Sequence, residues 1–329
     1  MIDLRLVLLF ALSFCVSYAA LRFWEKRAKQ AGLSGKDIHK LDQREVSEMG
    51  GLPVVFSFIV GVFVYLGTRV FLFGSHQHSE SIFAIVLAVL LAAIIGMVDD
   101  ILGWKIGLKQ WQKPALTLLV AFPIMAVDAG VRVMSIPFFG QVDLGILYPL
   151  IVIPGVVLVG SNGTNMLAGY NGLEAGLASI MIATLAYLAY SSGFAWISAL
   201  CVLMLIAIGV FLWFNKYPAR IFPGDTFTYA TGAFIAAVTI FANLEKAFVI
   251  LFIPYVIEFF MKARGRFQKE SFGKVQEDGG LTLRYEKLYG LEHVAIYSLQ
   301  KCGFKVTERR VVLTLLLMYS FVAVAAVLF

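Results

Sequence analysis

Two polar stretches of the chain lie where long apolar segments end, and both carry oxygen ligands. The pair Asp99-Asp100 ends one apolar segment, and the run 159–176 joins two others. That run contains three asparagines, one glutamate and five glycines. Carboxylates and irregular polar backbone are costly at membrane depth unless they are paired, bind a metal or line a wet cavity. We therefore interpret both stretches as parts of one site, although a helix end that reaches water would also explain the aspartate pair.

A third polar stretch, 215–226, joins two further apolar segments through a Pro-Gly turn. The turn predicts that Asp225 is the N-cap of the next helix, and capping alone would explain this residue. Combined with the amide of Asn165, however, its carboxylate forms a hard, all-oxygen and incomplete coordination shell. Such a shell suits Mg2+, which keeps waters and completes its octahedron with substrate phosphates. Asn165 and Asp225 are the predicted metal ligands.

Basic residues accompany these oxygen ligands. Lys105, Lys109 and Lys113 follow the aspartate pair within one short loop, and the cluster 262–269 contains an Arg-Gly-Arg sequence. A basic cluster beside a membrane span commonly binds lipid headgroups, but its arginines also suit a pyrophosphate. Carboxylates, an amide and cations around one cavity are what phosphoryl transfer between a soluble nucleotide and a lipid requires.

The elements that must position these residues are membrane-spanning helices. With 60% hydrophobic and 15% charged residues and a mean hydropathy of +0.84, the 329-residue chain lies far outside the range of soluble globular proteins. We predict an all-α polytopic membrane protein with ten transmembrane helices, the first of them a retained helix and not a signal peptide. The apolar segments are 4–23, 52–73, 82–98, 114–127, 145–159, 173–190, 194–214, 226–241, 247–261 and 311–329.

The loops between these segments alternate in charge. Of the 27 lysines and arginines, 23 fall in 22–44, 105–113, 216–220 and 262–310. By the positive-inside rule these loops face the cytosol, which places the predicted site there and both termini outside. This orientation explains the net charge of +6, so a nucleic-acid partner is not expected. The three scattered cysteines indicate neither a disulfide framework nor a zinc site.

The last predicted cytosolic loop, 262–310, is long enough for a folded element outside the membrane. Residues 273–285 surround an Asp-Gly turn, which predicts a small β-hairpin. Residues 291–302 have the apolar spacing of an amphipathic helix that could lie on the membrane surface. We therefore expect one transmembrane domain, 1–329, with this small cytosolic appendage between spans nine and ten.

Five groups of motifs occur in an order that resembles a known family. They are Gly35-Lys-Asp-Ile-His-Lys40 with Ser47-Glu-Met-Gly-Gly51, Val98-Asp-Asp-Ile-Leu102, Asp143-Leu-Gly-Ile-Leu-Tyr148, Asn171-Gly-Leu-Glu-Ala-Gly176 and Tyr217-Pro-Ala-Arg-Ile-Phe-Pro-Gly-Asp-Thr-Phe227. Together they cover nearly the whole chain and resemble the polyprenyl-phosphate N-acetylhexosamine-1-phosphate transferases, closest to the eukaryotic and archaeal type.

The resemblance implies a reaction. GlcNAc-1-phosphate would pass from UDP-GlcNAc to a dolichyl-type polyprenyl phosphate at the cytosolic membrane face, with release of UMP. This transfer is the first step of lipid-linked oligosaccharide synthesis for N-glycosylation. The resemblance also implies ten spans and dependence on Mg2+, for which Mn2+ could substitute.

The resemblance further assigns roles to residues. The implied metal ligands and catalytic groups are Asn165 and Asp225 for the metal, Lys109 as a cation on the transferring phosphates, and Asp99 and Asp100 as the paired aspartates. The implied substrate-binding residues are Ile38, Glu48, Gly169, Asn171 and Phe222 around uridine, and Arg264 and Arg266 at the pyrophosphate and amino sugar. Whether the aspartates act as a base or through Lys109 stays open. Gly265 and Gly103 replace a histidine and an asparagine found in family members.

The expected partners are UDP-GlcNAc, a dolichyl-type polyprenyl phosphate and membrane lipids, and a homodimer is left open. The appendage is shorter than in eukaryotic members, which favours an archaeal enzyme of the plasma membrane over one of the endoplasmic reticulum. An ion-coupled transporter is the main alternative, because broken helices with Asn and Asp also bind ions, but no inverted repeat is visible in the sequence. An intramembrane aspartyl protease, suggested by Gly224-Asp225, would need a Tyr-Asp dipeptide that the sequence lacks.

Overall fold

The computed structural model describes residues 4–40, 42, 44–136 and 140–329, apart from the side chains of 104–106, 135 and 136. The side chain of Lys105, one of the lysines after the aspartate pair, thus lies outside the described residues. The described helices are α1 (Leu4–Gln30), α2 (Gly51–Gly67), α3 (Ser79–Ile106), α4 (Gln112–Thr117), α5 (Phe122–Ala126), α6 (Ile153–Thr164), α7 (Leu173–Ser191), α8 (Ala195–Asn215), α9 (Gly224–Ala242), α10 (Glu245–Arg264), α11 (Leu291–Lys301) and α12 (Glu308–Leu328). Short π-helical segments at Thr68–Leu72 and Tyr148–Val152 extend α2 and lead into α6, and a 3-10 turn at Leu118–Ala121 joins α4 to α5.

Seven helices in the described part of the chain are long and apolar enough to cross a membrane. They are α1, α2 with its extension, α3, α7, α8, α9 and α12, and they match seven of the ten predicted segments. Two shorter apolar units, Gln112–Ala126 and Tyr148–Thr164, match two more. The remaining segment is α10, which carries charged residues at both ends and Pro254 in its interior. The chain is thus a polytopic integral membrane protein with seven candidate spans.

The loops 31–50, 107–111, 165–172 and 216–223 meet at one end of the bundle, which we call the polar end. There the backbone N–H of Phe222 donates to the carbonyl of Ser47 at 2.7 Å, and that of Gly50 donates to the carbonyl of Phe222 at 2.8 Å. The loop before α7 joins this network, because the Gly172 N–H donates to Asn215 Oδ1 at 3.1 Å. These backbone groups of the loops therefore form hydrogen bonds within the protein, as they must at membrane depth.

Other residues tie the helices together at the opposite end. The Tyr148 hydroxyl donates to Glu245 Oε1 at 2.5 Å and so joins the segment before α6 to the start of α10. The ring of His78 stacks on Trp196, with centroids 4.7 Å apart. A hairpin of β3 (Val133–Ile136) and β4 (Gly140–Asp143) connects α5 to the segment before α6.

Helix α9 is the central helix of the bundle, and its residues from Thr226 to Ile240 are all buried. Glycines bring neighbouring helices close to it. A Cβ atom at Gly160 of α6 would lie 2.7 Å from the carbonyl oxygen of Gly232, and one at Gly96 of α3 would lie 2.5 Å from the Thr226 nitrogen. Small residues permit such close approach between membrane helices. As a result, α3 and α6 hold their polar-end residues against the first turn of α9.

The appendage has the predicted hairpin and helix. Strands β5 (Lys274–Val275) and β6 (Leu281–Thr282) pair antiparallel, and α11 follows them. A similar small pair, β1 (Ser34–Lys36) and β2 (Glu45–Ser47), lies in the loop after α1. The appendage packs on the bundle, since the Gly273 N–H donates to the Tyr170 hydroxyl at 3.0 Å and the Leu291 N–H donates to Glu258 Oε2 at 2.6 Å.

Candidate active site

Asp100, near the polar end of α3, caps the first turn of α9. Its Oδ1 accepts the Asp225 N–H at 2.7 Å, and its Oδ2 accepts the N–H and the hydroxyl of Thr226 at 2.9 and 2.6 Å. Helix α9 begins at Gly224, so Asp225 lies in its first turn, and the prediction that Asp225 is the N-cap is wrong. Because Asp100 satisfies the donors that a cap would satisfy, the Asp225 carboxylate is left for other partners.

Lys113 lies between two of the carboxylates. Its Nζ donates to Asp99 Oδ2 at 2.5 Å and to Asp225 Oδ2 at 2.9 Å. The other oxygen of Asp99 accepts the Leu108 N–H at 2.7 Å, which fixes the loop after α3 against the end of that helix. This fold-back of the loop brings an ammonium group to both acids.

Asn165, which directly follows α6, meets Asp225. Its Nδ2 donates to Asp225 Oδ2 at 3.0 Å, and its Oδ1 accepts the Thr228 hydroxyl at 3.2 Å. The two predicted metal ligands are thus neighbours. A turn of the amide plane would exchange its nitrogen and oxygen and place an oxygen beside the carboxylate. This hard donor set fits a divalent cation such as Mg2+, which would compete with Lys113 for the same carboxylate oxygen.

A cavity of about 1020 Å3 opens beside these residues. Its lining includes the cations and amides of Lys113, Asn162, Asn165 and Lys262. The same cavity is lined by large apolar side chains, namely Trp111, Leu158, Val159, Val256, Phe259 and Phe260. A lining of this kind can accept a ligand that has both a charged group and a hydrocarbon chain.

The residues matched to a uridine pocket lie at the polar end, outside the described lining of this cavity. They are Ile38, Glu48, Gly169, Asn171 and Phe222. Asn171 is buried, and its side chain donates to Asp37 Oδ2 at 3.0 Å. Gly169 is exposed and has a positive φ of 102°, a conformation that favours glycine. Ile38 is also exposed, so two members of this group are exposed and one, Asn171, is buried.

Glu48 lies in the loop before α2 and interacts with the charge of Asp100. Its carbonyl accepts the Trp24 indole N–H at 2.8 Å, and its side chain is half-buried. Burial raises the pKa of Glu48, and the neighbouring charge of Asp100 raises that pKa further. Glu48 is therefore close enough to Asp100 for their charges to interact.

A buried ionic cluster, which the sequence reasoning missed, lies beside Asn171. It contains Asp37, His39, Lys40 and Glu308, of which Asp37, His39 and Glu308 are close enough together to suggest a metal site. All four carboxylate oxygens, however, already accept an N–H. The donors to Asp37 are the His39 backbone at 3.3 Å and the Asn171 side chain; those to Glu308 are the Asn171 backbone at 2.8 Å and Lys40 Nζ at 2.7 Å. The cluster therefore cross-links the loop after α1 to the start of α12 through hydrogen bonds and the ion pair of Lys40 with Glu308.

Comparison with known proteins places the chain in a family. Residues 82–243 match the model of glycosyl transferase family 4. A protein of Saccharolobus solfataricus, provisionally named UDP-N-acetylglucosamine--dolichyl-phosphate N-acetylglucosaminephosphotransferase, is 37% identical over 99% of this chain and 97% of its own length. A protein of Sulfolobus acidocaldarius with the same provisional name is 35% identical over 84% of each chain. The chain belongs to glycosyl transferase family 4.

The family 4 match contains the central part of the site. It includes Asp99, Asp100, Lys113, Asn165 and Asp225. A phospho-N-acetylmuramoyl-pentapeptide-transferase of Lactobacillus delbrueckii is 34% identical over 55% of this chain and 59% of its own length. Helix α10 and the appendage follow the matched residues and fall within the nearly full-length similarity to the Saccharolobus solfataricus protein.

Three cations assigned from the family resemblance lie outside the cavity lining that the described residues form. Lys109 is exposed, and its hydrogen bond to Gln112 uses its backbone N–H. Arg264 and Arg266 are both exposed at the end of α10 and just beyond it. Lys113 and Lys262 line the cavity, and sequence reasoning did not single out either of them.

Proposed function

We propose that the chain transfers GlcNAc-1-phosphate from UDP-GlcNAc to a dolichyl-type polyprenyl phosphate and releases UMP. The two archaeal relatives named for this reaction support the choice of substrates. The observation that carries the proposal is the meeting of Asp99, Lys113, Asn165 and Asp225 beside a cavity lined by large apolar side chains. A lipid phosphate and a nucleotide diphosphate can meet in such a place. The product would begin lipid-linked oligosaccharide synthesis for N-glycosylation.

The residues at the polar end have different roles in the proposed phosphoryl transfer. Asn165 and Asp225 would hold Mg2+, or Mn2+ in its place, and the bound ion would supply charge neutralisation to the diphosphate. Lys113 presents an ammonium group beside both acids, where it can pair with phosphate oxygens. Asp99 holds Lys113 in place, and Asp100 holds the helix turn that carries Asp225.

The apolar lining suits the lipid substrate. The side chains of Val256, Phe259 and Phe260 lie on α10, and those of Leu158 and Val159 lie on α6. A polyprenyl chain that lies between these helices would keep its hydrocarbon away from water while its phosphate reaches Lys113. The cavity volume of about 1020 Å3 leaves room for the nucleotide sugar as well.

The chain would cross the membrane ten times, with the seven candidate spans joined by Gln112–Ala126, Tyr148–Thr164 and α10. The polar end would face the cytosol, where UDP-GlcNAc is available, and both termini would lie outside. The plasma membrane of an archaeon is the proposed location. The transporter considered from the sequence is not proposed, because the chain belongs to a transferase family.

The test is UMP release by the purified chain from UDP-GlcNAc in the presence of dolichyl phosphate and Mg2+. Omission of the lipid phosphate or chelation of the metal should stop the reaction. Asp225→Asn and Asn165→Ala should abolish it, whereas Asp278→Asn, which changes an exposed acid of the appendage, should retain the wild-type rate. A wild-type rate in either site variant would refute the proposed metal site, and no UMP from the wild-type chain would refute the reaction.

A further inference from the structure

Among the described side chains, three lysines line the cavity, and each is held differently. Lys113 is shared between the two aspartates described above. Lys269 is exposed, and its ammonium group lies 4.8 Å from the centre of the Tyr285 ring. Lys262 lies on the last turn of α10 and is held between a loop carbonyl and a buried carboxylate.

The first of these contacts places Lys262 beside the metal-site loop. Its Nζ donates to the carbonyl of Met166, the residue that follows Asn165. The same Nζ lies 3.4 Å from Glu258 Oε1. An ammonium group has three N–H donors; the Met166 carbonyl accepts from one of them, and the Glu258 carboxylate lies at ion-pair distance. Since 20% of the Lys262 side chain is exposed and it lines the cavity, a remaining donor is available to an anion that enters there.

Glu258 fixes the ammonium group from the other side. Its side chain is 0% exposed, and its Oε2 accepts the Leu291 N–H at 2.6 Å where α11 begins. A buried carboxylate is costly unless a cation and hydrogen bonds compensate it, and Lys262 and Leu291 supply both. The carboxylate is thereby held at Oε2, and its ion pair through Oε1 restricts where Lys262 can lie.

The two arginines that follow Lys262 are placed differently. Arg264 is exposed, and its guanidinium lies 5.5 Å from the centre of the Tyr289 ring, in the appendage. Arg266 is exposed and has a positive φ of 53° in the turn after α10. Neither belongs to the cavity lining that the described residues form.

We propose that Lys262 binds the diphosphate of the nucleotide sugar and that Glu258 is a positioning residue for it. This inference rests on the proposed function and assigns to Lys262 the role that the family resemblance suggested for Arg264 and Arg266. A diphosphate held at Asn165 and Asp225 lies next to Met166, where the free donor of Lys262 is available. A lysine acts there as a point charge on a phosphate oxygen, without the planar geometry that an arginine would require.

Calorimetric titration of the full-length chain with UDP and Mg2+ tests the role of Lys262 without any turnover. Lys262→Met should raise the Kd for UDP about 10- to 100-fold, because a charge-assisted hydrogen bond is lost. Lys262→Arg keeps the charge and should recover most of the affinity. The matched control is Lys274→Met, which removes an exposed cation of the appendage and should leave the Kd within about twofold of wild type.

The positioning role of Glu258 is tested by a double-mutant cycle. Glu258→Gln keeps an acceptor for the Leu291 N–H but removes the charge, and it should raise the Kd for UDP and the KM for UDP-GlcNAc about 3- to 10-fold with little change in kcat. In the Lys262→Met background the same change should have no further effect on the Kd. A purely structural role would instead give equal losses in both backgrounds, which would overturn the assignment of Glu258.

Failure of this inference differs from failure of the proposed function. If Lys262→Met binds UDP as tightly as wild type, or if Lys274→Met weakens binding by a similar factor, the inference is overturned even when the wild-type chain releases UMP. If the folded wild-type chain binds UDP but releases no UMP, the proposed reaction alone is overturned. A folded wild-type chain that binds no UDP with Mg2+ would overturn both.

Discussion

Asp99 and Asp100 are neighbours in sequence, but their side chains have different partners. Asp100 accepts three hydrogen bonds from the first turn of α9, whereas Asp99 accepts from Lys113 and from the loop that carries it. Adjacent residues on a helix point in directions about 100° apart, so one can cap a neighbouring helix while the other faces the cation. The structure therefore separates a residue that caps α9 from a residue that pairs with Lys113.

Substitution of Asp100 should consequently affect stability as well as activity. Asp100→Ala removes a cap from a central helix, which costs about 1–2 kcal/mol, and should lower the apparent melting temperature in detergent. Asp100→Asn keeps an acceptor oxygen and should recover part of that loss. Asp99→Asn should reduce the rate of UMP release with a smaller change in melting temperature, since Asp99 caps no helix. An equal loss of stability in Asp99→Asn and Asp100→Ala would contradict this separation.

A second residue-scale prediction concerns Glu292 of α11, which is fully buried with no hydrogen-bond partner for either carboxylate oxygen among the described residues. Burial, and then the charge of Glu258, raises the pKa of Glu292 well above its ordinary value. The unfolded chain releases this proton at lower pH than the folded chain. The free energy of unfolding should therefore fall as pH rises from the unfolded pKa through the folded pKa.

Glu292→Gln removes this penalty. Its apparent melting temperature should exceed that of wild type at pH 8, by an amount that corresponds to about 1–3 kcal/mol, and should match wild type near pH 4.5. Glu277→Gln, at an exposed position of the same appendage, is the control and should change little at either pH. A gain that is as large at low pH as at pH 8 would contradict the proposed protonation of Glu292.

At the scale of elements, the distance between α6 and α9 determines whether Asn165 meets Asp225. Gly160 and Gly232 allow the two helices to approach, because a Cβ at Gly160 would lie 2.7 Å from the Gly232 carbonyl oxygen. Gly155 lies on the same helix, α6, but a Cβ there would meet nothing within 4 Å. Gly160 and Gly155 thus form a matched pair for a test of helix packing.

Gly160→Ala should separate α6 from α9 and so move the amide of Asn165 away from the carboxylate of Asp225. Overpacking should cost about 1–3 kcal/mol of stability, which would lower the apparent melting temperature. The rate of UMP release should fall as well. Gly155→Ala should be neutral or slightly stabilising, since alanine favours a helix more than glycine does. The measurements are thermal unfolding and turnover in detergent. Similar results for the two variants would show that close packing at Gly160 does not position the site.

The elements themselves were largely predictable from sequence, because their signals are local. Apolar segments predicted the seven candidate spans and the two shorter apolar units, and the Asp-Gly turn predicted the hairpin of β5 and β6. The spacing of 291–302 predicted α11 almost to the residue. The apolar face of α11, however, packs against the protein through Leu291, Ala295 and Ile296, so it need not lie on the membrane.

The parts that sequence could not predict depend on contacts between distant segments. The cap of α9 comes from Asp100, 125 residues before the Asp225 N–H that it accepts, and no local pattern distinguishes this arrangement from a cap by Asp225 itself. Likewise, the choice among the lysines after α3 depends on how the loop folds back, which selects Lys113. The pairing of Asn165 with Asp225 was predictable from chemistry, because hard oxygen ligands at two helix ends suit one metal ion.

At the scale of the whole molecule, most of the cationic residues lie in the segments that the positive-inside rule assigns to the cytosol, which include the loops of the polar end. Of the 27 lysines and arginines, only Arg5, Arg69, Arg132 and Lys246 lie in the segments assigned to the other side. Ion pairs within the polar end join segments as far as 268 residues apart, as Lys40 and Glu308 do. The proposed orientation would therefore bring the predicted substrate site and most of the basic segments to the same face of the membrane.

Thiol labelling of cells that express the chain tests this orientation. Cys302 is exposed in the appendage, whereas Ser192 is exposed in the turn between α7 and α8, at the other end of the bundle. In a Cys15→Ala background, a maleimide that cannot cross membranes should label Cys302 only after permeabilisation, because the positive-inside rule places the appendage in the cytosol. In a second variant that adds Ser192→Cys and Cys302→Ala, labelling should occur in intact cells.

Buried Cys201 remains in both variants and should stay unlabelled under native conditions. Labelling of Cys302 in intact cells would place the site outside, away from the nucleotide sugar, and would contradict the proposed topology.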